Sequence, residues 1–228
     1  MNNPWRKLRD SAPFVLESDR EQVDAFNARN IGSPDLLIQT QLLPEPFFGN
    51  TDALVYALCL NPGYSTSDDS WHKNIEFTNA IRQSHAHERH DRPHYYLDPR
   101  FAESPGARWW HRKCRWLIDD CGVDTLSHNL FCVELFPYHS RKYKRIPRSL
   151  SPNGLLASSL YTAHLVANAI RDGKLIIQMR SAKQWASLVP QLISYDRVLR
   201  LSSPQNVALS PNNLDRYSEV ASAIQGGG

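Results

Sequence analysis

The chain lacks long apolar segments and closely spaced cysteine pairs, and each absence excludes a class of protein. Nowhere in its 228 residues do 18 apolar residues run together, so the sequence predicts no membrane-spanning helix. The first 20 residues are charged and have no apolar signal core, so we expect no secretory leader and a cytoplasmic location. The four cysteines form no Cys-x-x-Cys pair, which argues against zinc and iron–sulfur sites; we expect all four to be reduced.

Charge and composition are those of an ordinary globular protein. The net charge is only +3, which is compatible with nucleic-acid binding but does not argue for it. No internal repeat and no linker divides the chain, and its length suits one substantial domain. We therefore predict a single domain over residues 1–228, with residues 1–50 as an N-terminal arm that packs on the core.

Candidate strands alternate with helical patterns along the chain. Strand patterns cover about 53–60, 126–136, 175–179 and 197–201, and helical patterns cover about 71–82, 107–120, 154–171, 181–188 and 212–224. This alternation predicts an α/β domain with a mainly parallel sheet and helices on both faces. In the arm, Ser18 and Glu21 predict a capping box at the start of a short helix. The proline-rich segment 33–50 predicts irregular chain along the edge of the core.

The longest apolar run ends in an Asn-Pro-Gly turn. Residues 53–60 are eight apolar residues in a row, a pattern typical of a strand buried on both faces. Residues 61–64, Asn-Pro-Gly-Tyr, follow and are called the motif turn below. Ligands of open α/β sheets bind outside the carboxyl ends of strands, so Asn61 is a candidate ligand-facing side chain. The alternative is a plain turn after a core strand.

Two further strand regions carry polar residues that we expect at the same edge of the sheet. Asn129 lies within the second strand region, and residues 202–206, Ser-Ser-Pro-Gln-Asn, follow the last one. Together with the motif turn, they resemble the uracil-DNA glycosylase superfamily, and most closely its single-strand-selective and mismatch-specific branches. The resemblance covers about residues 42–224. It implies a three-layer α/β/α sandwich around a central four-stranded parallel sheet.

The resemblance also implies an activity and a set of roles. The activity is hydrolysis of the N-glycosidic bond of uracil, or of a related damaged base flipped out of DNA, in base excision repair. Asn61 would orient the attacking water, and Asn129 would bind the edge of the base. The base pocket would be shaped by Pro62, Gly63 and Tyr64. We expect a monomer that binds single- or double-stranded DNA, needs no cofactor and does not contact a membrane.

Cleavage of an N-glycosidic bond explains why asparagine and aromatic side chains are needed at such a site. Negative charge grows on the leaving base while the sugar becomes oxocarbenium-like, so the site must hold a water near C1′ and aim donors at the base. An asparagine can orient a water through its carbonyl oxygen and hydrogen-bond a base through its amide. The base must also leave the stack, so a stacking aromatic and an invading loop are expected.

The last motif departs from the family pattern. The family has His-Pro-Ser-Pro, whereas residues 201–204 are Leu-Ser-Ser-Pro, so Leu201 replaces the histidine that stabilises the departing base. Ser203, or its neighbour Ser202, is the candidate substitute donor. The loop expected to contact DNA comprises Pro204, Gln205, Asn206 and Leu209. The alternative function, which Leu201 favours, is an inactive or weakly active nucleic-acid- or base-binding module on the same fold.

Three other groups are candidates for function. The basic run at 141–145 predicts phosphate contacts by Arg141, Lys142, Lys144 and Arg145, with a solvated loop as the alternative. The histidines at 85, 87, 90 and 94 predict a solvated loop that could face DNA; a metal-dependent hydrolase built on them is a third function class. Asp68 and Asp69 predict helix capping, or assistance to the water. His139 is a candidate replacement for the missing motif histidine.

Overall fold

A five-stranded sheet with α-helices packed on it forms the protein. The computed structural model describes residues 1–88, 91–151, 154–203 and 205–226. The strands are β1 (Phe47–Phe48), β2 (Val55–Leu58), β3 (Leu130–Val133), β4 (Leu175–Gln178) and β5 (Val198–Arg200). The helices are α1 (Arg20–Arg29), α2 (Asp68–Trp71), α3 (Ile75–Ala86), α4 (Pro105–Cys121), α5 (Val123–Asn129), α6 (Ser159–Arg171), α7 (Ala182–Leu188) and α8 (Tyr217–Gln225).

The strands lie in the order β1-β3-β2-β4-β5. β2 to β5 are all parallel, whereas β1 pairs antiparallel with β3, with Phe47 opposite Val133. The predicted α/β class and mainly parallel sheet are confirmed. The predicted four-stranded sheet is wrong, because β1 adds an edge strand where irregular chain was expected. A two-residue strand between Pro46 and Gly49 is too short to show an alternating pattern.

The two residues of β1 show which helices cover each face of the sheet. Successive side chains of a strand point to opposite faces. The ring of Phe47 lies 5.9 Å from that of Tyr161 in α6. The ring of Phe48 lies 5.5 Å from that of Trp110 in α4. Helices α6 and α4 therefore pack on opposite faces, with the sheet between them.

Strand β2 lies in the middle of the sheet and is buried along its whole length, as are β3 and β4. Continuous apolar runs are typical of strands covered on both faces. The chain passes from β2 to β3 on one side, and then crosses to β4 on the other. Connections that leave neighbouring strands in opposite directions open a crevice at their carboxyl ends. This crevice lies between the ends of β2 and β4.

The N-terminal arm contributes to the same hydrophobic core as the sheet, through buried side chains that include Trp5, Val23 and Phe26. α1 begins after Asp19, which makes no capping bond, so the capping box predicted at Ser18 is wrong. The side chain of Asp19 is needed elsewhere. It is fully buried and accepts hydrogen bonds from Tyr138 Oη (2.8 Å) and the Ser158 amide (3.0 Å).

Several helix boundaries differ from the predicted ones. The helix predicted at 71–82 begins later, as α3 at Ile75, because the Asn74 side chain caps it by accepting from the Phe77 amide (3.1 Å); the short helix α2 precedes it and ends at Trp71. α6 begins five residues later than predicted and α8 also begins five residues later. Across the described ranges, no helix has the length and apolar character needed to cross a membrane.

Asp19 should hold the arm in place. Replacing it by alanine leaves the buried Ser158 amide and the Tyr138 hydroxyl without their acceptor, which should lower the free energy of unfolding by about 1–3 kcal/mol. Asp24→Ala, on the exposed side of α1, is the control and should change it by less than about 0.5 kcal/mol. Urea unfolding followed by tryptophan fluorescence measures both. Equal effects would show that Asp19 does not anchor the arm.

Candidate functional site

The motif turn lines a cavity of about 430 Å³ at the carboxyl ends of the central strands. The turn follows β2, Glu134 follows β3 and Arg180 lies two residues after β4, and all of them line this cavity. Asn61 lies just beyond the buried strand β2, in the wall of this cavity. A cavity of this size is within the range of small-molecule and base-binding sites.

The amide of Asn61 is held in one orientation. Its Nδ2 donates to the Pro62 carbonyl (2.8 Å) and to Ser140 Oγ (3.1 Å). A carbonyl oxygen only accepts, so the atom facing it must be the nitrogen. Oδ1 therefore points away from the Pro62 carbonyl, and none of the described residues donates to it. This leaves a carbonyl oxygen in the wall of the cavity that can bind a water.

Aromatic side chains form much of the cavity wall. Tyr64 donates to Asp69 Oδ2 (2.8 Å), and the Arg141 guanidinium lies 5.8 Å from the centre of its ring. Trp109 and its buried neighbour Trp110 line the cavity from α4.

Two glycines line the cavity wall, and the fold requires a glycine at only one of the two positions. A Cβ at Gly106 would collide with the Tyr96 ring, so the fold itself requires a glycine there. A Cβ at Gly63 would meet no atom within 4 Å, and its φ is not positive. The fold therefore does not require glycine at position 63, and the open space beside it is available to a ligand.

Glu134 is a buried carboxyl group with an unused oxygen. It is 6% exposed, and its Oε2 has no hydrogen-bond partner in the described part of the chain. Burial raises the pKa of Glu134 well above its ordinary value; the charge of Glu45 raises it further, while Arg180 lowers it. A buried polar atom without a partner is costly, so a ligand that bonds it would gain the missing interaction.

A second buried carboxyl group, Glu45, is by contrast well bonded. Tyr96 Oη lies 2.6 Å from both of its oxygens, and His139 Nε2 lies 3.6 Å from Oε1. Burial raises the pKa of Glu45, and the charge of His139 and the Tyr96 hydroxyl oppose that shift. His139 Nδ1 is 2.7 Å from the Gly63 carbonyl and Nε2 is 3.1 Å from that of Leu43, so each ring nitrogen faces a carbonyl oxygen.

Glu45, His72 and His139 form one close group of potential metal ligands within the described ranges. The hydrogen bonds of the two rings do not suit a metal. His72 Nδ1 accepts from the Leu43 amide (3.0 Å), so the ring's proton is on Nε2, the atom that faces Glu45. Both nitrogens of His139 already face carbonyl oxygens. The group therefore fits a hydrogen-bonded cluster that holds the motif turn better than a metal centre.

Asn129 does not lie where the resemblance requires it. The segment predicted as the start of the second strand is helix α5, which ends at Asn129, immediately before β3 begins. β2 and β3 are parallel, with Leu58 opposite Val133, so Asn129 is at the amino edge of the sheet and Asn61 is beyond the carboxyl edge. At about 3.3 Å per residue, the strands separate them by at least about 13 Å. Asn129 Nδ2 instead donates to the Thr125 carbonyl (3.1 Å).

The last motif is also placed differently from the prediction. Ser203 is half-buried and does not line the cavity; its amide donates to Asn213 Oδ1 (2.8 Å). Leu209, predicted to enter DNA, is fully buried, and its amide donates to the Lys113 carbonyl (2.8 Å), so that prediction is wrong. Pro204 lies outside the described residues. The exposed members of the loop are Gln205 and Asn206.

The basic run at 141–145 is only partly available to DNA. Arg141 lines the cavity and lies 3.7 Å from Asp35. Lys142 forms a closer ion pair with the same carboxylate (2.7 Å). Lys144 Nζ donates to Asn30 Oδ1 (3.0 Å), and the Arg145 side chain lies against Gly154. Much of this run therefore ties its loop to neighbouring segments, and Arg141 is its contribution to the cavity.

A second group of cations lies beside the cavity and has no such partners. Arg112 and Lys113 come from α4, and Arg180 follows β4. Burial lowers the pKa of Lys113, and the charges of Arg112 and Arg180 lower it further. Among the residues described, no carboxylate forms an ion pair with any of the three. Lys113 Nζ also donates to Asn206 Oδ1 (3.4 Å), which joins this group to the loop of the last motif.

The predicted solvated histidine loop is wrong for the histidines that can be placed. His85 is buried on α3, with Nε2 2.7 Å from the Pro44 carbonyl. His87 stacks on Phe47 (4.5 Å), and His94 is fully buried. His90 lies outside the described residues. Asp68 bonds the Ser65 amide (2.7 Å), a local turn contact.

Comparisons with known proteins give no match for this chain. No protein-family model matches it. Neither a curated protein nor a solved structure matches it. The chemistry of the cavity is therefore the ground for the function proposed below.

The raised pKa of Glu134 should make stability depend on pH at this position. Between its unfolded pKa, about 4.3, and its higher folded pKa, the folded state binds more protons, so stability falls as pH rises. Glu134→Gln removes this dependence. The stability of the variant relative to wild type should therefore increase by up to about 1.4 kcal/mol per pH unit above about pH 4.3.

Thermal and urea unfolding from pH 4 to pH 9 measure the difference. Glu21→Gln, at an exposed position in the first turn of α1, is the control and should show a nearly constant difference. A constant difference for Glu134→Gln as well would contradict the raised pKa.

Proposed function

We propose that the protein is a DNA glycosylase of the uracil-DNA glycosylase type, which hydrolyses the bond between a flipped-out base and its deoxyribose. The observation that carries this proposal is the free Oδ1 of Asn61 in the wall of an aromatic-lined cavity at the carboxyl ends of parallel strands. A water held by this oxygen is in place to attack C1′ of a nucleotide whose base occupies the cavity. The motif turn supplies this arrangement even though Asn129 does not contribute.

Binding of a base follows from the cavity wall. Tyr64 and Trp109 present aromatic surface, and base–aromatic stacking is worth about 1–3 kcal/mol per base. That gain offsets the few kcal/mol needed to unstack and unpair the base. Gly63 leaves open space at the motif turn, where a side chain would intrude on the bound base.

Binding of the DNA backbone follows from the unpaired cations. Lys113 donates to Asn206 of the exposed loop and is within reach of the charges of Arg112 and Arg180, while Arg141 and Arg180 line the cavity. Cations that have no protein counterion are free to neutralise phosphates, and such contacts supply most non-specific affinity for nucleic acid. A strand that crosses this group would bring a flipped base to the cavity.

The second candidate function is binding of a base or nucleic acid without cleavage. Leu201 favours it: this residue is 9% exposed, forms a β-bridge with Leu214 and cannot donate a hydrogen bond to a departing base. In that case the cavity would bind DNA with the same salt dependence and would release no base.

Base release tests the first function. Purified protein is incubated with single- and double-stranded oligonucleotides that contain uracil or modified cytosines and adenines. Asn61→Ala should lower the single-turnover rate about a hundred-fold, because the water loses its positioning group. Asn212→Ala, an exposed asparagine elsewhere, should leave the rate unchanged. Undiminished release by Asn61→Ala would remove Asn61 from the mechanism.

Gly63→Ala separates a role in binding from a role in folding. The added methyl group meets nothing in the folded chain, so the free energy of unfolding should change by less than about 1 kcal/mol. Base release should nevertheless fall at subsaturating DNA, because the methyl group occupies space that the base needs. Full activity in this variant would place the base elsewhere.

The salt dependence of DNA binding tests the cation group. Arg112→Ala and Arg180→Ala should each weaken binding of a single-stranded oligonucleotide and reduce the slope of log K against log salt by about 0.7. Arg171→Ala removes the same charge at the end of α6, at the amino edge of the sheet, and should leave the slope unchanged. Equal slopes for all three variants would exclude this surface as the phosphate site.

A further inference from the structure

The cavity contains one acidic group that the functions considered so far do not use. Glu134 follows β3, lines the cavity and is more than nine-tenths buried, and its Oε2 has no partner in the described part of the chain. An unbonded carboxyl oxygen in a ligand cavity indicates a ligand with a complementary polar edge. The proposed reaction has a corresponding need.

That need is a proton or a donor for the leaving base. Leu201 supplies neither, and most of the polar groups of the cavity wall are already bonded. Arg180 has no ion-pair partner among the described residues, but a guanidinium does not give up its proton. Asn61 Nδ2 donates to Pro62 and Ser140. Tyr96 Oη donates to Glu45, and both nitrogens of His139 face carbonyl oxygens. Glu134 is a buried acidic group of the cavity wall with a free oxygen.

We propose that Glu134 is the general acid of the reaction and protonates a ring nitrogen of the departing base. The inference rests on the proposed glycosylase function. Water adds its oxygen to C1′, the bond between C1′ and the base breaks, and its electron pair goes to the base. The Glu134 proton goes to the ring nitrogen, so the base leaves neutral. The water releases one proton to solvent, and solvent reprotonates Glu134, which balances the hydrolysis.

The proposal specifies the class of base. The ring nitrogen must have a lone pair, and the second carboxyl oxygen must face a donor. Cytosine- and adenine-type bases present such an edge, a ring nitrogen beside an exocyclic amino group. Acidic side chains accept from the amino group of cytosine in the same way in DNA recognition. Uracil presents an N–H at that ring position and cannot take the proton there. The structure thus favours an amino-bearing base over the uracil expected from the resemblance.

The surroundings of Glu134 favour its protonated form. Of the two neighbouring buried carboxyl groups, Glu45 has the Tyr96 hydroxyl and His139 as partners. Burial and the negative charge of Glu45 together raise the pKa of Glu134, against the effect of Arg180. The other titratable groups that interact with Glu134 are the buried Cys59, Tyr95 and Cys132, whose pKa values burial also raises. The protonated form is the one that a general acid needs.

Three variants of Glu134 test the inference on the full chain. Gln keeps a donor and an acceptor of nearly the same shape but has no proton to transfer. Asp keeps the proton on a shorter side chain, and Ala removes both. The substrates are oligonucleotides carrying a modified cytosine, a modified adenine or uracil. Binding is measured by fluorescence anisotropy and base release under single-turnover conditions, from pH 5 to pH 9.

Glu134→Gln should bind within about three-fold of wild type and release base at least about a hundred-fold more slowly. Glu134→Asp should be intermediate, and Glu134→Ala should lose binding as well as release. The wild-type rate should fall as pH rises through the pKa of Glu134, and the residual rate of the Gln variant should not. Release from amino-bearing bases should exceed release from uracil.

Three results would overturn the inference, and they distinguish its failure from the failure of the glycosylase function. Undiminished release by Glu134→Gln, or faster release of uracil than of any amino-bearing base, overturns the role of Glu134 and leaves the glycosylase function in place. No release of any base by wild type overturns both.

Discussion

The hydrogen bond from His139 Nδ1 to the Gly63 carbonyl (2.7 Å) is the contact on which the arrangement of the cavity depends. It joins the loop after β3 to the motif turn after β2. Ser140, the next residue, bonds the Asn61 amide from the same loop (3.1 Å). The carboxyl ends of two parallel strands are thus connected by side chains, in addition to the backbone bonds from the Phe136 amide to the Leu60 carbonyl (2.9 Å) and from the Ser140 amide to the Pro62 carbonyl (3.4 Å). Together these bonds restrain the motif turn, which would otherwise be free to move, as surface loops generally are.

The two buried carboxyl groups of the cavity differ in their hydrogen-bond partners and in what shifts their pKa values. Glu45 is bonded by Tyr96 and faces the ring of His139, so its charge has partners. Glu134 has no partner for Oε2, and the charge of Glu45 raises its pKa further. When the environments of two neighbouring carboxyl groups separate their pKa values, one group can act as a negative charge and the other as an acid. This asymmetry is built by segments far apart in sequence, before β1 and after β3.

The sequence predicted those elements of the fold that depend on a continuous local pattern of residues. The apolar run 53–60 predicted the buried strand β2, with Asn61 in the turn beyond it, because a strand buried on both faces leaves a clear signal. Asn129 was misplaced because the apolar pattern at 126–133 spans the end of α5 and the whole of β3, and periodicity does not separate a short helix from a strand there. Leu209 was misplaced because an apolar residue in a loop can face DNA or the core equally well in sequence.

Arg180 and Glu134 were not singled out from the sequence, and both owe their place in the site to the packed structure. Arg180 joins Arg112 of α4 in one cationic group only when β4 and α4 meet in three dimensions, and it lies outside the basic runs of the sequence. Glu134 is one charged residue at the end of an apolar strand, which in sequence is indistinguishable from a solvated strand end. Its significance comes from burial without a partner, which only the packed structure reveals.

The structure also limits which residues of the three motifs can take part in a function of the cavity. The motif turn keeps a position suited to holding a water, while neither Asn129 nor Ser203 reaches the cavity. An asparagine that orients water does not by itself help a base to leave, because the charge growing on the base needs a donor or a proton. Any hydrolysis in this cavity must therefore use a group other than the second and third motifs. Glu134, at the end of the strand beside β2, is the side chain whose position and free oxygen meet that requirement.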